Sequence, residues 1–330
     1  MEPHELQKQA HAALSAFGLD GAVLHFLRHN ENAVYRVKTP ANGTFALRLH
    51  LPRPGVGGGM VAHRQDWMES ELTWLAALAE GSDIPVQRPL LTLDGALLAP
   101  LPGGGWASLL AWLPGKPLAQ DDPRAQFYAG LAGELAARLH TFVLGWPQGT
   151  TLPRPAYDGS RVHTAMTTLE DGVSLGLYAT AEVDRLAAGA ARMATLLDRA
   201  CAIPGSHGLI HADLGLGNLL VEGDTLSPID FGLCGHGPFA QDVGGMLGAF
   251  DTPALRQATL AGYEKLRPLP PADAVEAAFL AGIYYFMAMH LRNPAVQEWF
   301  GRRLPAVLAE YVDPFVRAES FLPALLGQQG

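Results

Sequence analysis

Between residues 22 and 51 three apolar runs, "AVLHFLRH", "AVYRVKT" and "TFALRLHL", are set off by the polar groups "NEN" and "PANG". Short runs rich in valine, leucine and aromatic residues and bounded by turn formers predict an antiparallel meander of strands. A helix ending near Gly18 precedes them, and "HRQDWMESELTWLAALAEG" predicts a second helix, stopped at Gly81. "PVQRPLLTLDGALLAPLP" reads as two more short strands joined through Asp94-Gly95, a pair favoured in hairpin turns. The first hundred residues therefore predict a five-stranded antiparallel sheet with one inserted helix.

After "LLAWLPGKPL" the period lengthens. "DPRAQFYAGLAGELAARLHTF" carries apolar residues at 127, 131, 135, 139 and 142, a helical stripe, and most later segments are helical as well. The exception is "LIHADLGLGNLLVEGDTLSPIDFG", where Leu219–Val221 and Leu226–Ile229 predict two short strands around "EGDT". The fold class that follows is α+β and bilobal. A β-rich N-terminal lobe covers 1–106, a connector 107–116, and a mainly helical C-terminal lobe with one embedded hairpin 117–330.

Composition narrows what such a chain can do. At 330 residues it exceeds a single compact core, so two domains, or two lobes sharing a cleft, are expected. With 48% hydrophobic and 17% charged residues it has ample material for a packed interior. A net charge of -9 without any Lys/Arg cluster argues against a nucleic-acid partner. Cys201 and Cys234 have neither metal-knuckle nor disulfide-framework spacing, which fits a reducing cytoplasm. The N-terminus lacks an export pattern, and the longest apolar stretch, Ala277–Met289, is too short to span a bilayer, so it predicts a buried helix and no membrane partner.

The chemistry concentrates in the exceptional segment. If the hairpin forms, the start of its first strand lies beside the end of its second, so Asn218 and Asp230 reach one rim, and Asp213 can fold back over it from the preceding loop. Three oxygen donors of this kind suit a hard cation such as Mg²⁺, which keeps waters and binds phosphate oxygens. Singly, each residue could be an ordinary loop cap. Together they follow the order of a kinase catalytic loop and metal-binding aspartate. His211 reads as a packing residue that holds the loop backbone. A zinc site from His207, His211 and His236 lacks the helix needed to align its ligands.

A kinase-like site also needs a cation on the third strand and a carboxylate on the next helix. In "FALRLHL" the two-residue period places Phe45, Leu47 and Leu49 on one face and Ala46 with Arg48 on the other. On the following helix Glu71 shares the stripe of Trp67, Trp74, Leu75 and Leu78, where a carboxylate is costly unless paired, and Arg48 is the expected partner. The run "GVGGGM" from Gly55 and "GGG" at 103–105 lack a phosphate-loop ending and read as flexible loops.

The segments "HADLGLGN" and "IDFG", with "FALRLHLP", "SELTWLAAL", "LLAWLPGKPL" and "LAARLHTF", resemble the aminoglycoside phosphotransferase and choline kinase group, which includes homoserine kinase-like and stress-response kinase-like members. The resemblance spans roughly residues 20–250 and is most specific in the loop and hairpin. It implies a protein kinase-like fold and an ATP- and Mg²⁺-dependent phosphotransferase acting on a hydroxyl of a small molecule. By it Asp213 is the catalytic aspartate, Asn218 and Asp230 are Mg²⁺ ligands, and Arg48 with Glu71 holds phosphate. The backbone of Ala111, Trp112 and Leu113 meets adenine, and Asp242 is structural.

The chain departs from the family pattern by Arg48 for the usual Lys, by Gly215 for the usual His, and by Ala212 for a common Gly, the last expected to be minor. A Ser/Thr protein kinase and a catalytically silent nucleotide-binding regulator are the alternatives. The acceptor, which could be an aminoglycoside, choline, homoserine or another amino alcohol, stays open on sequence, as does oligomeric state.

Overall fold

The computed structural model describes residues 3–29, 32–41, 43–51 and 64–328. Two compact units meet in the chain between Pro114 and Gly115. The first contains α1 (Pro3–Ala16), β1 (Val23–His29), β2 (Ala33–Lys38), β3 (Thr44–His50), α2 (Gln65–Gly81), β4 (Pro89–Leu90), β5 (Ala99–Pro100) and β6 (Trp106–Ala111). Its strands are antiparallel in the order β1-β2-β3-β6-β4, with β5 also on β6.

The sheet thus has six strands rather than five. "WASLLA", most of which falls in the expected connector 107–116, is β6 and pairs with β3 from end to end. Ala107 to Leu110 are all buried, so the strand shows none of the alternation that marks a half-exposed one. The Asp94-Gly95 turn is present, with Gly95 at φ +85° and its N–H donating to the Thr92 carbonyl. The strands on either side of it, however, ladder to β6 rather than to each other.

The two-residue period decides which face each strand buries. Tyr35, Val37, Leu47, Leu49 and Leu109 pack in one core with Leu6, Ala10 and Leu14 of α1. Ala46, Arg48 and His50 occupy the opposite face of β3, also buried. The "GVGGGM" run and parts of the "NEN" and "PANG" turns lie outside the described residues.

The second unit holds β7 (Lys116–Pro117), α3 (Ala125–Leu144), α4 (Gly159–Ser174), α5 (Thr180–Cys201), β8 (His207–Ile210), β9 (Leu219–Glu222), β10 (Thr225–Pro228), β11 (Gly235–Pro238), α6 (Ala240–Ala249), α7 (Pro253–Glu264), α8 (Ala272–His290) and α9 (Pro294–Val307). The predicted hairpin is β9–β10, turned by Gly223-Asp224 and extended by β7. β8 and β11 form a separate antiparallel pair.

α3 and α7 approach closely through glycines, since a Cβ on Gly133 would strike the Thr259 carbonyl and one on Gly262 the Gly130 carbonyl. α8 is longer than its apolar run suggested, at 19 residues. Among the described residues it is the one helix long and apolar enough to cross a membrane, and 67% of its most apolar window is buried inside the protein.

Candidate active site

The loop between β8 and β9 is held from behind by groups sealed from water. Asp242, in the first turn of α6, accepts the His211 N–H at 3.0 Å through Oδ2 and the Ala212 N–H at 2.7 Å through Oδ1. His140 of α3 meets Oδ2 through Nε2 at 3.0 Å and the Tyr263 hydroxyl through Nδ1 at 3.0 Å, and its ring stacks on Phe239. Burial pushes the His140 pKa down, against the pull of Asp242. A neutral ring then donates from Nε2 and accepts from Tyr263, whose hydroxyl burial pushes up to about 12. Desolvation opposes the charge on Asp242, yet hydrogen bonds from His140 and the loop amides prevail and lower its pKa.

His211, also fully buried, ties the two arms of the site together. Its Nδ1 accepts the Asp213 N–H at 3.3 Å, which makes Nε2 the donor to the Ile229 carbonyl at 3.1 Å. The ring therefore holds loop backbone, as expected, and His236 likewise spends Nε2 on the Leu152 carbonyl. Ala212 takes φ +65°, a left-handed conformation in which a Cβ is strained. The replacement of glycine at this position, read from sequence as minor, thus falls where glycine's freedom matters.

The geometry draws the oxygen donors toward one rim. Asn218 donates through Nδ2 to the Asp213 carbonyl at 3.0 Å and to Asp213 Oδ2 at 2.7 Å, which turns its own Oδ1 the other way. The Ile229 N–H donates to the Asn218 carbonyl at 2.9 Å, placing Asp230 one residue beyond that link. Asp230 itself is left-handed, φ +65°. Asp213 is exposed, and Asn218 and Asp230 are half-buried.

Among the described residues no group of three or more His, Cys, Asp and Glu could hold a metal by itself. One carboxylate, one amide oxygen and waters nevertheless suit Mg²⁺, which keeps part of its hydration and takes the rest from phosphates.

In the first unit Arg48 Nη2 donates to Glu71 Oε1 at 2.6 Å, with side-chain exposures of 7% and 3%. Ser108, opposite Arg48 on β6, receives Arg48 Nε at 3.5 Å and meets His50 Nε2 at 2.9 Å. Sequence reasoning missed Ser108, because its strand was read as connector. Of the proposed adenine-binding residues, Ala111 donates its N–H to the Arg88 carbonyl and accepts Gln87 Nε2. The Trp112 N–H goes to the Thr44 carbonyl, and the indole lies under Arg36. Leu113 follows at the end of the unit.

A cavity of about 310 Å³ within the second unit reaches Asp213, Leu214 and Gly215. Tyr285, Phe286, Met289 and Trp299 line it, whereas Tyr284 and Phe300 of the same segment are core. The aromatic residues over 281–300 therefore divide between cavity wall and core.

The family model described as "Phosphotransferase enzyme family" matches residues 24–278. An amicoumacin kinase of Bacillus subtilis (strain 168) is 26% identical over 245 residues, 73% of this chain and 66% of the relative. A homoserine kinase of Caulobacter sp. (strain K31) is 31% identical over 227 residues, 64% of this chain and 63% of the relative. The chain thus spans slightly less than two thirds of these curated relatives. Among solved structures, a microcompartment-associated aminopropanol kinase superposes with TM-score 0.73 at 23% identity, covering 94% of this chain and 98% of that one.

Proposed function

The chain belongs to the phosphotransferase enzyme family, and from that membership and the Asp213 loop we propose that it transfers the γ-phosphoryl group of ATP to a hydroxyl of a small molecule. The observation that carries the proposal is the Asn218 side chain clasping Asp213 while its backbone is tied to the residue before Asp230. Asp213 and Asn218 are thereby joined beside the residue that precedes Asp230, which supports phosphoryl transfer by positioning and charge neutralisation.

In this reading Asp213 orients the acceptor hydroxyl and takes its proton as the new P–O bond forms. Asn218 Oδ1 and the Asp230 carboxylate would hold Mg²⁺, which when bound would neutralise charge on the phosphate oxygens. Arg48, held by Glu71 and Ser108, is the cation that this reading assigns to the phosphates. With the N–H groups of Ala111 and Trp112 engaged inside their own unit, adenine recognition falls to the Trp112 carbonyl and the Leu113 N–H. The sparse cysteine usage read from the sequence, with neither metal-knuckle nor disulfide-framework spacing, supports the cytoplasm as the compartment.

The test is a screen for ADP release over hydroxyl-bearing metabolites and antibiotics with Mg²⁺-ATP, using Asp213→Asn protein as background. Acceptor-stimulated release by the wild type alone is expected. Binding of an ATP analogue with no stimulation by any acceptor, or full stimulation in the variant, would overturn the assignment.

A further inference from the structure

Resting on the phosphotransferase reading above, we infer that the acceptor carries a flat, uncharged aromatic body beside its hydroxyl, and is neither a polyamine nor a small ammonium alcohol. The cavity that reaches Asp213 supplies the grounds, first through its shape. α6 and α8 touch at Gly244, where a Cβ would stand 2.5 Å from the Phe279 nitrogen and 2.7 Å from the Val275 carbonyl. Packing therefore demands glycine there. It makes no such demand at Gly245 of α6 or Gly282 of α8, where a Cβ would meet nothing within 4 Å, and both of these residues line the cavity. Glycine inside a helix costs stability relative to alanine, so bare backbone that packing does not require, on two neighbouring helices, points to space kept for a ligand.

The wall is apolar and partly aromatic. Phe286 follows Gly282 by four residues, on the same face of α8, and packs edge to face with Trp299 of α9, ring centroids 5.7 Å apart. The two nevertheless stay 39% and 43% exposed, apolar surface that a bound body would cover. Ile283 and Met289 extend the wall. Glycine backbone and ring faces suit a planar ring better than a puckered one, since aromatic groups gain from stacked and edge-to-face contact beyond their area. The volume, about 310 Å³, lies at the low end of the roughly 300–1,000 Å³ usual for ligand sites, which fits a compact body.

The polar residues of the lining are engaged or sealed. Asp242 holds His140 and the loop amides, Asp213 accepts from Asn218 Nδ2, and the Tyr157 hydroxyl donates to the Leu233 carbonyl at 2.6 Å. The Arg161 guanidinium lies 4.2 Å over the Tyr157 ring. Gln241 Oε1 and the Tyr285 hydroxyl are shut off from water, so neither is a contact for a ligand in the cavity. What remains for the body of the acceptor is apolar surface. An ammonium group brought there loses water without gaining a carboxylate, which is costly, and a polyamine repeats that cost at every nitrogen. Aromatic faces do attract cations, which makes an ammonium the matched alternative to test.

The test is calorimetric titration of the whole chain, with Mg²⁺ and a non-hydrolysable ATP analogue, against matched propanols ending in a phenyl, a cyclohexyl or a trimethylammonium group, and against the aminoglycoside kanamycin. The phenyl probe should bind at least about tenfold more tightly than the trimethylammonium probe and kanamycin, the scale of burying one apolar side chain. It should exceed the cyclohexyl probe by about threefold, the margin of aromatic contact. Gly282→Leu and, separately, Gly245→Leu fill the space and should each weaken the phenyl probe at least about tenfold, with a thermal melt no lower than that of the wild type, because leucine is the better helix former. Trp299→Ala should bring the phenyl and cyclohexyl probes to one affinity.

A trimethylammonium probe or kanamycin bound as tightly as the phenyl probe, phenyl binding that survives both leucine variants, or no binding by any probe up to about 10 mM overturns the inference. ADP release measured alongside separates the two proposals. Selective binding of the phenyl probe without transfer to any acceptor leaves the cavity assignment standing and counts against the kinase, whereas transfer to the ammonium alcohol or the aminoglycoside in preference to the phenyl probe does the reverse.

Discussion

In the N-terminal unit Arg48 and Glu71 bury both charges against each other, on a sheet face sealed from water. In the C-terminal unit the arrangement is inverted: Asp213 is exposed and Asp230 half-buried, while the groups with no exposure, His211 and His140, and the nearly sealed Asp242 stand behind them. One unit makes the cation proposed to serve phosphate part of the core. The other builds a polar core whose task is to hold a loop. A change at the front of the C-terminal loop should therefore cost chemistry and spare the fold, whereas a change in the N-terminal pair should cost both.

The largest effect expected is on turnover in Asp213→Asn. Loss of a positioned base costs on the order of 10²–10⁴-fold, and since the side chain is exposed the melting temperature should stay within about 2 °C. Steady-state ADP release and a thermal melt on the same sample check both halves. A melt lowered by more than about 5 °C would break the contrast, because Asp213 would then be holding the loop rather than being held by it.

Glu71→Ala comes next, this time on stability. It leaves the Arg48 guanidinium buried against a lost partner, which typically costs about 3–5 kcal/mol. Urea unfolding followed through a signal of the N-terminal unit should show a midpoint shift of that order, with Glu71→Gln, which keeps the shape and a hydrogen bond, losing less. A loss below about 1 kcal/mol, the range of exposed pairs, would mean that the pair is more accessible to water than its burial implies.

How far these regions could be read in advance follows from what each depends on. Arg48 and Glu71 were legible because a period of two and a period of 3.6 each assign a face from one short segment. The β9–β10 hairpin was legible because its turn and strands are contiguous. β6 was not, since a strand covered on both faces is a plain apolar run, and it sits where the pattern changes from strands to helices. Ser108 went with it. The cavity had no local signal at all: Arg161 comes from α4, Gln241 from α6 and Tyr285 from α8, and only packing among distant helices brings them to one space.

A smaller effect follows from pH. Burial holds the folded-state pKa of His140 below its ordinary 6.5, so the unfolded chain binds a proton that the folded chain refuses as pH falls beneath that value. This contribution to stability is present above about 6.5 and declines toward acid with a slope of up to about 1.4 kcal/mol per pH unit for one proton. Asp242, whose folded pKa is also lowered, adds a further loss only below its ordinary 3.8. Urea midpoints at pH 7, 6 and 5 should fall in that order, and His140→Gln should flatten the slope. An equal slope in the variant would place the titrating group elsewhere.

The smallest effect, at Ala212, bears most directly on how the C-terminal loop is held. Two N–H···Asp242 bonds on consecutive residues fix the main chain at φ +65°, where an L side chain costs roughly 1–2 kcal/mol. Ala212→Gly removes that strain but returns about 0.4–1 kcal/mol of freedom to the unfolded chain. The net change should lie within about 1 kcal/mol, with turnover altered less than about twofold. Ala212→Val should be clearly worse on both counts, because a β-branched residue tolerates this conformation least. If valine were accepted as readily as glycine in a paired melt and rate measurement, the loop would be free to leave the left-handed region, and Asp242 would not be the anchor that its two bonds make it.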